Sequence, residues 1–171
     1  MAGIGSGGGV IGSVKGAHVL IIEARYYDAI ADALIADALE ELDAAGVTYE
    51  RVAVPGALEI PQVLAAAIDA ELAGGDLEDT EFDGAIALGC VIRGETAHYD
   101  IVCNNANHWL MEQATRFTVP FGNGILTVDT EVQAIERAKG GRQGKGGAAA
   151  RACLRMIELQ REFLARFEEG V

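Results

Sequence analysis

Cysteine, proline, aromatic residues and positive charge are all scarce in this chain of 171 residues. The three cysteines, Cys90, Cys103 and Cys153, are odd in number and have no CxxC spacing, so they suggest neither a disulfide framework nor a zinc site. Only 13 lysines and arginines oppose 26 aspartates and glutamates, which gives a net charge of −13. Nucleic acids and anionic membranes attract proteins through basic side chains, so binding to either is not expected.

Long hydrophobic runs are also absent. No apolar segment reaches the roughly 18 to 20 residues that a transmembrane helix needs, and residues 1–16 lack the basic and then apolar order of a secretory signal. We therefore expect a soluble protein of the cytoplasm with reduced thiols. Because 50% of the residues are hydrophobic, one substantial core can form. The predicted organisation is a flexible glycine-rich arm, residues 1–16, followed by a single domain, residues 17–171.

What the chain does contain is an alternation of strand-like and helix-like segments. Apolar runs predict strands, and segments of helical periodicity predict the helices between them, with Asp28 capping the first helix and Gly46 ending it. This order is typical of a parallel sheet with helices on both faces, joined by right-handed crossovers. The predicted strands are 18–23, 48–54, 84–89 and 124–128. The first predicted helix lies between the cap at Asp28 and the stop at Gly46, and the others are about 61–72, 103–117, 130–138 and 148–167.

A polar segment follows the third predicted strand. It contains Arg93, Glu95, Thr96 and His98. Ligands bind at the carboxyl ends of parallel strands, so these four are candidate site residues. An imidazole that titrates near neutrality can transfer protons at cytoplasmic pH. Local sequence leaves His98 with two interpretations: a proton-transfer group, or a residue at a helix start bonded to a carboxylate.

Other local patterns also leave two interpretations each. Glu59, close to Pro61, either accepts hydrogen bonds from a ligand or stabilises the N-terminus of a helix. Tyr26 either stacks on an aromatic ligand or covers the edge of the core. Cys90, near His98 in sequence, offers a thiolate nucleophile as a minor alternative.

The glycine-rich segment 139–147 invites comparison with a phosphate-binding loop. Its spacing is one residue short of GxxxxGK, Gly146 stands where Ser or Thr would hold magnesium, and the segment follows a helix instead of a strand. We therefore reject a nucleoside triphosphatase. Arg137, Arg142 and Lys145 remain candidate partners of a single phosphate, and the alternative for this segment is a flexible interhelical loop.

The remaining histidines, His18 and His108, fall inside a predicted strand and a predicted helix, so structural roles are expected for both. The sequence contains no evident cluster of metal ligands, Ser/His/Asp order or GxGxxG fingerprint. No metal site is predicted.

Taken together and in this order, the segments 55–61, 89–102, 124–127 and 133–138 closely resemble the lumazine synthases, the 6,7-dimethyl-8-ribityllumazine synthases of riboflavin biosynthesis. The likeness runs from about residue 17 to residue 167. It implies a flavodoxin-like three-layer α/β/α sandwich with a four-stranded parallel sheet. It also implies a transferase that joins 5-amino-6-(D-ribitylamino)uracil to 3,4-dihydroxy-2-butanone 4-phosphate, losing phosphate and water, without a metal or an organic cofactor.

The resemblance assigns one group of site residues to a single subunit. Tyr26 matches the aromatic residue that stacks on the pyrimidine, and His98 matches the proton-transfer histidine. Three segments match the other contacts: Ala57, Leu58 and Glu59 for the pyrimidine and ribityl chain, Cys90, Val91 and Ile92 for backbone contacts to the pyrimidine, and Glu95 and Thr96 for the phosphate side.

A second group comes, by resemblance, from the neighbouring subunit. Asn123 takes a pyrimidine-contacting position, Arg137 matches the phosphate-binding and catalytic arginine, and Lys145 matches a basic residue near the site. The chain departs from the commonest family pattern at Cys90, where threonine is frequent, and at Asn123, where phenylalanine is frequent.

The resemblance also implies a homopentamer with sites between adjacent subunits, and some members of the family build an icosahedral assembly from pentamers. The glycine-rich arm and the segment 139–147 lie in regions that influence how pentamers meet, so the size of the assembly stays open. Two alternatives on the same fold are a self-assembling shell or scaffold protein and a flavin-like ligand carrier. Intact Glu59, His98 and Arg137 count against assembly as the sole role.

Overall fold

Four strands form one parallel sheet in the order β2-β1-β3-β4. The structure is a computed structural model of the chain. It describes residues 14–74, 80–141 and 143–169, and side chains as far as residue 167. The outer two strands pair with the inner two along most of their length. The strands are β1 (His18–Ala24), β2 (Thr48–Val54), β3 (Gly84–Ile92) and β4 (Phe121–Val128).

Helices follow every strand, as the alternating pattern predicts. They are α1 (Asp28–Ala45), α2 (Ile60–Asp69), α3 (His98–Arg116), α4 (Glu131–Ala138) and α5 (Lys145–Glu169), and a 3₁₀ turn, Ala57–Glu59, leads into α2.

The sheet lies between two helical layers with a core on each side. Along β1, Val19 and Ile21 pack into the core formed with α1, α4 and α5. Leu20 and Ile22, which point to the opposite face, pack into the core formed with α2 and α3. This arrangement confirms the predicted flavodoxin-like α/β/α sandwich with four parallel strands.

The ends of α1 test the capping predictions. Gly46 ends the helix in the left-handed conformation at φ 68°, and its N–H donates to the carbonyl oxygens of Asp43 and Leu42, as predicted. The other prediction is wrong, because Tyr27 occupies the N-cap position and Asp28 is the first helical residue. The carboxylate of Asp28 accepts a hydrogen bond from Arg25 Nε at 3.1 Å.

Two other helices begin earlier than predicted. α3 starts at His98 instead of 103, and α5 starts at Lys145 instead of 148. At the start of α5, the Asp37 side chain from α1 is buried and accepts a hydrogen bond of 2.6 Å from the Gly147 N–H. This contact satisfies a backbone donor at the helix N-terminus, where no intrahelical partner exists.

The glycines of this segment allow α1 and α5 to approach closely. A Cβ atom on Gly144 would lie 2.1 Å from Asp37 Oδ2, and one on Gly146 would lie 2.0 Å from the Leu34 carbonyl oxygen. The segment predicted as a flexible interhelical loop is therefore partly a packed helix start. Arg142 lies outside the described residues.

Most of the predicted N-terminal arm, residues 1–13, lies outside the described residues, as does the segment 75–79. Val14 is fully buried in the core beside α1 and α5, so packed structure begins at least three residues before the predicted domain boundary at 17. None of the described helices combines the length and apolar composition of a membrane span.

Candidate active site

A cavity of about 500 Å³ opens at the carboxyl ends of β1, β2 and β3. Its walls come from the loops after these strands and from the first turns of α3. Nine of the predicted site residues line it: Tyr26, Ala57, Leu58, Glu59, Cys90, Val91, Ile92, Thr96 and His98. These candidate residues therefore lie together at the edge of the sheet where parallel α/β folds bind their ligands.

An ion-pair network shapes the loop after β1. Glu23 is buried, and its carboxylate accepts hydrogen bonds from Arg51 at 2.7 and 2.9 Å and from Arg25 at 3.0 Å. The pKa of the Arg25 guanidinium lies above its usual value. The largest cause is its hydrogen bond to Asp32, and the second is its hydrogen bond to Glu23. This network anchors the residue directly before Tyr26, whose ring is 72% exposed and contacts Tyr27 edge-on.

The loop after β2 contributes backbone as well as side chains. Ala57, Leu58 and Glu59 form a 3₁₀ turn that continues into α2, with a proline in its first turn. The first N–H groups of a helical segment have no partner within it, so this turn can offer donors to a ligand. The Glu59 carboxylate lies close to Gly56, since a Cβ there would be 3.2 Å from Glu59 Oε2.

Cys90 lies near the end of β3, where it is buried between the cavity and the core. Burial raises the pKa of its thiol to about 11, and the nearby Cys103 thiol adds to the rise. A nucleophilic cysteine needs a lowered pKa to be a thiolate near neutrality. The thiolate nucleophile considered from sequence is therefore disfavoured, and Cys90 serves the cavity as a small neutral side chain.

His98 begins α3 with its imidazole exposed to the cavity. Its backbone N–H donates to Thr96 Oγ1 at 3.4 Å, and no carboxylate among the described residues forms a hydrogen bond with its ring. The second interpretation from sequence, a helix-start residue bonded to a carboxylate, is therefore only half met: His98 begins the helix, but no described carboxylate bonds to its ring. The ring is accessible to a substrate.

Arg93 follows the lining residue Ile92 but does not itself line the cavity. Its Nε donates to Asp129 at 2.9 Å and its Nη1 to Asp100 at 3.5 Å, while its guanidinium stacks over the ring of Tyr99 at 4.0 Å. These contacts brace the wall residue Tyr99. Burial, followed by a hydrogen bond with Cys103, raises the pKa of the Tyr99 hydroxyl.

Besides Arg93, four predicted site residues do not line this cavity within one chain. Glu95 is exposed beside it. Asn123 lies on β4, where its Nδ2 donates to Asn107 Oδ1 at 2.6 Å. Arg137 is exposed in the last turn of α4 and Lys145 begins α5. The last three are the residues that the resemblance assigns to a neighbouring subunit.

The structure also adds wall residues that sequence reasoning missed. Tyr27 and Tyr99 each follow a residue that was singled out, so their aromatic character next to Tyr26 and His98 was an available signal. The missed lining residues are Tyr27, Pro55, Gly56, Gly94, Tyr99 and Val102.

Comparison with known proteins identifies the family. The family model described as 6,7-dimethyl-8-ribityllumazine synthase matches residues 16–161. A protein of that name from Agrobacterium fabrum is 52% identical over 145 residues, which cover 85% of this chain and 95% of the relative. A 6,7-dimethyl-8-ribityllumazine synthase 1 from Rhizobium meliloti is 52% identical over 147 residues, or 86% and 94% of the two chains.

A further relative extends the likeness along nearly the whole chain. The 6,7-dimethyl-8-ribityllumazine synthase 1 of Mesorhizobium japonicum is 47% identical over 167 residues, which cover 97% of this chain and 99% of the relative. The chain therefore belongs to the 6,7-dimethyl-8-ribityllumazine synthase family.

Proposed function

We propose that the protein joins 5-amino-6-(D-ribitylamino)uracil to 3,4-dihydroxy-2-butanone 4-phosphate in the cavity at the carboxyl ends of β1, β2 and β3. The reaction forms 6,7-dimethyl-8-ribityllumazine and releases phosphate and water. As a member of its family, the chain is a transferase of riboflavin biosynthesis. The observation that carries the site assignment is the convergence of Tyr26, the 57–59 turn, the end of β3 and His98 on one cavity.

The cavity provides groups suited to each part of the pyrimidine substrate. The exposed ring of Tyr26 can stack on the heterocycle, and the backbone at Cys90, Val91 and Ile92 can bond its polar edge. The turn at 57–59 and the carboxylate of Glu59 can hold the hydroxyls of the ribityl chain. Two substrates held side by side gain much of their rate from orientation alone.

His98 is the proton-transfer group in this proposal. Imine formation between an amine and a ketone, and the later loss of phosphate, both require protons to move between nitrogen, carbon and oxygen. A neutral imidazole with a free ring nitrogen performs such transfers near pH 7. The absence of a carboxylate partner among the described residues leaves both ring nitrogens of His98 available to the substrates.

The phosphate of the ketone requires cations that the described residues of a single chain do not place in the cavity wall. The cavity-lining residues include no lysine or arginine among those described, and Arg93 is engaged with Asp129, Asp100 and Tyr99. We infer that Arg137 and Lys145 of a neighbouring subunit complete the site. An arginine can bind phosphate through two parallel charge-assisted hydrogen bonds and favour its departure as an anion.

A shared site requires an oligomer, and we propose the homopentamer implied by the resemblance. An apolar groove of about 910 Å³ runs between the end of α3, the start of β4 and α5. Several large side chains along it are exposed in a single chain, which is typical of an interface. They are Met111, Met156, Phe163, Leu164 and Phe167.

We also place the reaction in the cytoplasm. Cys90, Cys103 and Cys153 are all free thiols, and two of them are buried. Free thiols persist in a reducing compartment.

The test is a direct assay with both substrates, following lumazine absorbance beside a no-enzyme control, because the condensation also proceeds without catalyst. We expect clear acceleration that falls in a His98→Ala variant. No acceleration by folded, oligomeric protein would contradict the proposal and favour the scaffold or ligand-carrier alternatives. Native mass spectrometry of the same sample gives the number of subunits.

A further inference from the structure

Three potential metal ligands meet at the amino-terminal end of the sheet, opposite to the cavity. His18 begins β1, Glu50 lies on β2, and Glu81 lies just before β3. One ring nitrogen of His18 and one carboxylate oxygen from each glutamate lie within 4.8 Å of one another. These residues are far apart in sequence and come together only because the strands are neighbours.

The strand register explains the meeting of the first two. His18 pairs with Thr48, and Leu20 pairs with Glu50. Alternate residues of a strand share a face, so His18, Thr48 and Glu50 all point to the same side of the sheet. Glu81 reaches this side from the segment that brings Phe82 against the imidazole.

The imidazole of His18 is held in place by groups outside the cluster. Its ring stacks on Phe82 with centroids 5.3 Å apart and planes inclined by 16°. The backbone N–H of His18 donates to Asp83 Oδ2 at 2.8 Å. Nδ1 lies 2.7 Å from the hydroxyl oxygen of Thr48, which itself donates to the Ala17 carbonyl oxygen at 3.4 Å.

That chain of hydrogen bonds favours one tautomer. With the Thr48 hydroxyl donating to the Ala17 carbonyl oxygen, its own oxygen is free to accept the proton of Nδ1. Nε2 of a neutral His18 then carries a lone pair. Metal-bound histidines characteristically donate their other ring N–H to an oxygen acceptor, which fixes the ring and makes the ligating nitrogen more basic.

We propose that His18, Glu50 and Glu81 form a binding site for a divalent transition-metal ion of the zinc class. Two carboxylates and a nitrogen lone pair at this separation repel one another unless a cation lies between them. One imidazole and two carboxylates are ligands that Zn²⁺ accepts in tetrahedral sites, with bonds of about 2.0 to 2.2 Å and a fourth position for water.

The geometry needs only a small adjustment to bind the ion. Ligand atoms around a tetrahedral zinc ion stand about 3.4 Å apart, given the usual bond lengths. Both glutamates are exposed and can rotate inward by the remaining distance. A bound ion would tie the starts of β1, β2 and β3 together, so its effect is on stability and not on the distant cavity.

Titration calorimetry with ZnCl₂ on the full chain tests this site. We expect one saturable site per chain that is lost in His18→Ala and in Glu81→Gln, the latter being an exposed, isosteric change that leaves folding intact. Thr48→Val should weaken Zn²⁺ binding about tenfold, because removing the hydrogen-bond acceptor of a metal-bound histidine lowers metal affinity by about that factor. Zn²⁺ should also raise the melting temperature of the parent protein and not that of Glu81→Gln.

A His108→Ala variant is the matched control, since His108 is exposed on α3 and belongs to no such cluster among the described residues. It should bind Zn²⁺ like the parent protein. Two results would overturn the proposal: no saturable Zn²⁺ binding by the parent, or equal binding by the parent and Glu81→Gln.

Discussion

His98 and Arg137 have different tasks in the proposed reaction, and their loss should leave different kinetic signatures. His98→Ala removes proton transfer, so we expect kcat to fall by up to about a hundredfold, the lower end of general acid–base effects. Arg137→Ala removes charge-assisted hydrogen bonds to phosphate, worth about 2 to 3 kcal/mol, so KM for the phosphorylated ketone should rise roughly fiftyfold. Steady-state kinetics in both substrates measures the two effects.

Arg116→Ala is a suitable control for loss of positive charge, because Arg116 pairs with Glu112 on the exposed side of α3. It should resemble the parent enzyme. Equal losses of ketone affinity in the His98 and Arg137 variants would contradict this division of roles.

Cys90 also permits a sharp prediction. Burial raises the pKa of its thiol to about 11, so the thiolate is disfavoured at pH 7. Cys90→Ala should therefore keep kcat within about threefold of the parent value, since the strand backbone proposed to contact the substrate remains. A loss as large as that of His98→Ala would restore the nucleophile hypothesis.

At the scale of the elements, the contact between α1 and α5 depends on the absence of side chains at the start of α5. Gly146→Ala would place a Cβ atom 2.0 Å from the Leu34 carbonyl oxygen, so the two helices must separate. We expect the free energy of unfolding to fall by about 2 to 3 kcal/mol, as for other overpacked sites. Urea denaturation at fixed protein concentration measures the change.

Gly94→Ala provides the control for this experiment. A Cβ atom at Gly94 meets no atom within 4 Å, and the residue has no positive φ. Its unfolding free energy should change by no more than about 0.5 kcal/mol. If Gly146→Ala were as harmless, the close approach of α1 and α5 would not require glycine.

The elements also indicate where sequence patterns succeed and fail. β2 begins and ends where predicted, at Thr48 and Val54, because a segment of strand-forming residues between turn signals is a local property. The start of α5 was placed too late because glycines disfavour helices in isolation. There the packing of Asp37 and Leu34 overrides that preference.

For the whole molecule, the central question is whether each site contains residues of two subunits. In a ring, the His98 of one subunit would act with the Arg137 of the next, which is a heterologous contact. Coexpression of His98→Ala with Arg137→Ala should then create some sites with both residues intact. Random mixing in equal amounts predicts about a quarter of the parent activity, assayed at low ketone concentration.

Three oligomers serve as controls, each assembled from one variant alone. They are His98→Ala, Arg137→Ala and the double variant that carries both changes. None of them can form a complete site, so each should keep only its own residual activity. A mixture no more active than the average of the two single variants would show that the sites are not shared between subunits.

Local sequence by itself located the four strands, the parallel α/β architecture and the polar edge where the cavity opens, because hydrophobic periodicity and turn residues act over a few positions. β3 and β4 are each three residues longer than predicted. The ordered motifs at 55–61, 89–102 and 133–138 were enough to indicate the family. Only the tertiary structure could decide which residues meet across long separations. It placed Arg93 against Tyr99, buried the Cys90 thiol, and brought His18 to Glu50 and Glu81. Such contacts depend on strand register and on packing between layers, which no local pattern encodes.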